Sequence, residues 1–240
     1  MMIGLTVGLI MGLTGAGGAL ISIPLLIGLL GLTLKKATIL SLAIVIISTL
    51  INLIGVRPRL NLRLILILAA GGGIGNVLTL PLKNLVPDYF VAVLIIAIAI
   101  YSLIGVWNER YEIGKINLRQ SLVKSIIIGL TLGMITTLTG LGGGVLLMPI
   151  LIRFYGMNYQ EALGNGLASI LLVSIMSFIF QWQEAKDIVT PTEFTLIILG
   201  SIASVILIRK IPAKFLRTRK IVFTLVVAYS TVSIMRSVWI

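Results

Sequence analysis

Eight long apolar stretches, residues 2–31, 37–56, 64–82, 87–107, 122–152, 162–183, 191–208 and 221–239, hold almost none of the charge of this 240-residue chain. A helix needs about 20 consecutive apolar residues to cross the roughly 30 Å hydrocarbon core of a bilayer, and six of the eight stretches have that length. Hydrophobic residues make up 58% of the chain, against about 45–50% in a soluble domain, so water is not the solvent for most of it. A transmembrane barrel needs short segments of alternating polarity, whereas these runs are continuous and rich in Leu and Ile. The expected class is an all-α integral membrane protein.

Charge and residue usage narrow the function. The net charge of +12 reads as loop charge facing anionic lipid, with membrane lipid and not nucleic acid as the partner. The chain has no Cys and no His, which removes thiolate sites and the commonest proton shuttle and metal ligand; no cofactor is expected. Met1-Met2-Ile3-Gly4 offers no basic segment ahead of the first apolar run, so insertion is expected to rely on the mature segments and not on a cleaved signal peptide.

The chain is also duplicated. Shifted by 125 positions, Ile3–Gly31 lies over Ile128–Gly156 with 15 of 29 residues identical. Matched Leu means little in so apolar a chain, but six of the pairs are Gly, joined by Thr14/Thr139 and Pro24/Pro149. The register continues through Ala37/Ala162 and Leu42/Leu167. Two four-segment repeats follow, 1–107 and 122–240, separated by a polar cytoplasmic linker at 108–121.

The first run of each half is too long for one crossing. As a single helix Ile3–Gly31 would reach about 43 Å, well beyond a core of about 30 Å. It also carries Gly15-Ala16-Gly17-Gly18 at its centre, where each Gly costs about 1 kcal/mol relative to Ala in a helix. A broken or re-entrant helix is expected in each half. Basic residues choose between these forms: eight full crossings put nine Lys and Arg on the N-terminal side and ten opposite, whereas two re-entrant hairpins give 5 and 14. The second split fits the positive-inside rule. It makes six spans and two hairpins, places both termini outside the cell membrane, and inverts one half relative to the other, as in many secondary transporters.

The repeated element reads Thr14-Gly15-Ala16-Gly17-Gly18 with Pro24, and Thr139-Gly140-Leu141-Gly142-Gly143 with Pro149, Gly144 adding a further glycine. Glycine permits positive φ, so each cluster can turn within the membrane. The helix that follows then points its N–H groups and partial positive charge at the midplane, where two such ends form an anion site without a buried Arg or Lys. The competing reading is that these glycines serve close helix packing. A nucleotide-binding loop does not fit, because no Lys-Ser/Thr follows the glycines. Ser41 and Asn165 join Thr14 and Thr139 as candidate hydrogen-bonding side chains, with Thr38, Thr49/Ser174 and Asn52/Ser177 as further polar positions inside the runs. Gln181 and Gln183, flanking Trp182, are expected near a membrane boundary. Gly17→Ala or Gly142→Ala is expected to fold and to lose flux.

The duplicated Gly-x-Gly-Gly-x5-Pro element, the chain length, the central polar linker and the scarcity of embedded charge resemble the TauE/SafE sulfite exporter family of membrane permeases. The resemblance extends over essentially the whole chain and implies export of sulfite or an organosulfur anion. Substrate-binding residues are then expected to be Thr14, Gly15, Gly17, Gly18, Ser41, Thr139, Gly140, Gly142, Gly143, Gly144 and Asn165. Ala19 stands opposite Gly144, and Ser41 opposite Gly166, so the two halves of the site need not be equivalent. An anion channel, or an intramembrane enzyme such as a lipid phosphatase, are the alternatives. Hydrolysis of phosphate esters calls for an acid–base group and usually an Arg, which the runs do not supply, so no enzyme is expected. Substrate identity, coupling ion and oligomeric state stay open at this stage.

Overall fold

The computed structural model describes residues 19–55, 60–83, 85–107 and 122–186, with ten isolated positions between 195 and 235. Those stretches form seven helices: α1 (Ala19–Leu30), α2 (Leu34–Gly55), α3 (Leu62–Lys83), α4 (Asp88–Trp107), α5 (Leu122–Thr139), α6 (Gly144–Tyr155) and α7 (Tyr159–Lys186). No strand occurs among the described residues. Helices are what a bilayer demands of Leu- and Ile-rich sequence, because every backbone N–H and C=O must be satisfied within its own segment. Four of them, α2, α3, α5 and α7, are long and apolar enough to cross a membrane. Large side chains such as Ile54, Leu66, Val123 and Ile179 stand exposed along their outer faces, as lipid contact requires.

Polar residues set the helix ends. Asn61 Oδ1 accepts from Leu64 N–H at 3.2 Å ahead of α3, and Asn158 Oδ1 accepts from Glu161 N–H at 2.9 Å ahead of α7, each capping an orphan donor. The helices α1 and α6 both end on a left-handed glycine, Gly31 with φ 62° and Gly156 with φ 64°. The next residue closes the same reverse bond in both, Leu32 N–H to Leu26 C=O at 3.4 Å and Met157 N–H to Leu151 C=O at 3.3 Å. These pairs are 125 positions apart, as are both ends of α1 and α6 and the starts of α2 and α7. The sequence repeat is therefore a repeat of backbone structure.

Packing brings α3, α5 and α7 side by side. Gly71 and Gly75 of α3 face Gly129 and Gly133 of α5, two Gly-x-x-x-Gly faces laid backbone to backbone. Contacts advance together along these helices, from Gly71 beside Gly129 to Asn76 bonded to Thr137, so α3 and α5 run in the same direction. The helix α7 runs the same way as α3: Asn61 meets Asn165, Gly72 meets Val173 and Lys83 meets Gln181. The run 122–152 is two helices and not one. The Tyr155 hydroxyl, at the end of α6, lies 2.7 Å from Ser125 Oγ near the start of α5, which folds the pair into a helical hairpin.

Candidate functional site

The hairpin turn is built by three left-handed glycines, Gly140 (φ 68°), Gly142 (φ 67°) and Gly143 (φ 65°), conformations an L side chain rarely adopts. Thr139 shapes the approach: its hydroxyl donates to Ile135 C=O at 2.7 Å and accepts from Leu141 N–H at 3.3 Å. A first-half residue then clamps the turn, the Ser41 hydroxyl lying 2.7 Å from Thr38 C=O and 2.8 Å from Gly140 C=O. A Cβ on Gly140 would collide with Thr38 C=O and Ser41 Oγ, so glycine is required here for close approach as well as for φ. Gly143 precedes α6 without any side-chain cap, leaving the first N–H groups of that helix and their partial positive charge turned toward the hairpin tip.

Two hydroxyls flank this tip. Ser174 Oγ lies 3.2 Å from the point a Cβ on Gly142 would occupy, and Thr136 Oγ1 lies 3.4 Å from the corresponding point on Gly143. Both side chains are fully buried, and neither oxygen has a hydrogen-bond partner among the described residues. A hydroxyl in a membrane helix ordinarily bonds the carbonyl one turn back, as Thr79 does with Gly75 and Thr139 with Ile135. Leaving one unmade costs about 1–3 kcal/mol, and two of the three such oxygens among the described residues, the third being Ser169 Oγ, lie beside this helix N-terminus, which makes the tip a candidate site. The tip also packs against Val45 and Ile170, near the middles of α2 and α7.

Of the residues expected from sequence, Thr139, Gly140, Gly142, Gly143 and Ser41 come together here, and Gly144 opens α6 beside Ile170. Thr14, Gly15, Gly17 and Gly18 lie outside the described residues. Asn165 is placed elsewhere: its Oδ1 accepts from Asn61 N–H at 2.7 Å and its Nδ2 donates to Glu161 C=O at 2.8 Å, tying α7 to the start of α3. Sequence reasoning passed over Thr136; its spacing of three from Thr139, on one face of α5, was the available signal. Gln181 and Lys83 are both buried, Lys83 at 5% exposure, toward one end of α7 and of α3. Alanine at Gly142 would meet Val45 Cγ1 at 2.6 Å and keep a positive φ, so Gly142→Ala is expected to lower stability as well as flux. Thermal unfolding of that variant beside the parent checks this.

Long apolar helices in a lipid-facing bundle, with a glycine-broken hairpin buried among them, define a multi-pass membrane protein. The chain belongs to the sulfite exporter TauE/SafE family, whose model matches residues 1–232. This is a family of membrane transporters. No curated protein matches the chain, and no solved structure does.

Proposed function

We propose that the chain exports a small oxyanion, sulfite or an organosulfur anion, bound at the tip of the α5–α6 hairpin. The observation that carries this reading is the pair of buried, unpartnered hydroxyls, Thr136 and Ser174, beside the uncapped N-terminus of α6. Both can donate to an anion, and a bond to a charged oxygen is worth about 1.5–3 kcal/mol. The helix end adds up to about 2 kcal/mol in a partly buried setting. Val45 and Ile170 pack against the tip at Gly142.

An inverted relation between the two halves accords with the same reading. The helices α3 and α7 run in the same direction. If α2 and α3 are antiparallel neighbours, a direct repeat would set α3 against α7, whereas an inverted one gives them the same sense. In this reading the hairpin tip, level with the middles of α2 and α7, would lie near the membrane midplane, and the matching sequence element Thr14-Gly15-Ala16-Gly17-Gly18 would supply its first-half counterpart. Counterflow in proteoliposomes with sulfite, sulfate, thiosulfate and sulfonates is the direct test. Saturable exchange of at least one of these anions is expected, and failure of all of them would remove the proposal.

Orientation has its own check. Single-Cys variants near Lys36 are expected to react with an impermeant thiol reagent from outside, and those near Arg59 only from the cytoplasm, in a chain that starts with no Cys. Labelling of Lys36 positions from the cytoplasmic side would reverse the topology.

A further inference from the structure

A second buried polar cluster leads away from the hairpin tip. Lys83 closes α3 and is almost fully buried, and its Nζ donates to Gln181 Oε1. Gln181 Nε2 donates to Ser177 Oγ at 2.9 Å. Ser177 Oγ and Thr137 Oγ1 are 3.2 Å apart, Thr137 donates to Asn76 Oδ1 at 2.9 Å, and Asn76 Nδ2 donates to Val173 C=O at 3.0 Å. The Thr137 proton is committed to Asn76, so Ser177 is the donor in their shared bond. Every donor along the chain therefore points away from the Lys83 cation. Hydrogen bonds aligned in one sense polarise one another, and this series carries the field of the ammonium inward to Val173, next to Ser174.

The same residues trace a route. Ser174, Ser177 and Gln181 recur at i, i+3 and i+7 and so share one face of α7. That face begins at the unpartnered hydroxyl beside Gly142 and reaches Lys83 after seven residues, about 10 Å. Exposed Trp182 next to Gln181 marks the membrane interface at this end. An ionisable side chain buried in a membrane protein, besides its pairing within the fold, is a candidate for an ion path or a charged ligand. We propose that Lys83, with Gln181 and Ser177, forms a second anion-binding station, at the membrane-boundary end of α3 and α7, through which the anion passes to or from the hairpin tip. The proposal rests on the anion-transport reading above.

The test uses the full chain in proteoliposomes with sulfite and sulfate as probes. Lys83→Met removes the cation, Lys83→Arg keeps it, and Gln181→Glu sets a carboxylate beside it while conserving side-chain shape. Lys83→Met and Gln181→Glu are each expected to raise the KM for exchange about ten-fold or more, the scale of one lost charge-assisted bond, with Lys83→Arg within about three-fold of the parent. If Lys83→Met does not fold, Gln181→Glu decides alone. A purely structural lysine would lower the amount of folded protein and leave KM unchanged in what remains. Exchange by the parent with parental KM in both charge-altering variants overturns the second station and leaves the hairpin site standing. No exchange by the parent of any anion removes both.

Discussion

Thr136→Val combined with Ser174→Ala should give a protein at least as stable as the parent that binds its anion far more weakly. The two hydroxyls are buried and unpartnered beside the hairpin tip, so each costs about 1–3 kcal/mol of desolvation without a compensating bond. Valine keeps the shape of threonine and alanine leaves little space, so removing the oxygens relieves that cost. If the hydroxyls donate to an oxyanion, each removal instead weakens binding by about 1.5–3 kcal/mol, roughly ten- to a hundred-fold in Kd. Stability and affinity then move in opposite directions, which a packing role does not produce. Thermal unfolding without anion, set beside KM for sulfite counterflow, reads both. A double variant with parental KM would show that the tip does not hold the anion.

The second large effect is structural and falls on a different set of glycines. Gly133→Ala should lose most of the folded protein, because its Cβ would run into Gly72 C=O, and Gly75→Ala should behave alike against Leu130 C=O. In both cases the obstacle is backbone, so the helices must separate, at a cost of at least about 1–3 kcal/mol per site and a lost α3–α5 seam. Gly166→Ala is the internal comparison. Its Cβ would meet Leu151 Cδ1 at an ordinary 3.7 Å, within a helix where alanine gains about 0.5–1 kcal/mol over glycine. The first-half equivalent of this position is already Ser41. Equal yields of monodisperse protein from Gly133→Ala and Gly166→Ala would contradict the seam.

The choice between turn and packing glycines, open when only spacing is considered, thus divides by position. Gly140, Gly142 and Gly143 have positive φ and build the turn, while Gly71, Gly75, Gly129 and Gly133 let backbones touch. The packing glycines lie outside the Gly-x-Gly-Gly element, whose described members Gly140, Gly142 and Gly143 take the turn conformation.

From residues alone one can read the membrane class, the helical runs, the glycine break after Thr139 and the 125-residue repeat that reappears in the paired ends of α1 and α6. These are local properties: run length against bilayer thickness, and glycine where φ must be positive. Which face of each run is buried was not legible, because the lipid side and the protein side of a membrane helix are both apolar and leave no amphipathic contrast. That is why spacing alone does not show that Asn165 ties α7 to the start of α3, that Asn76 bonds Val173 C=O, or that Lys83 and Gln181 are buried against one another. Hydroxyls pose the same difficulty. Thr136 and Thr139 are the same residue type on one helix, yet Thr139 bonds its own backbone and Thr136 does not, a difference their shared residue type does not show.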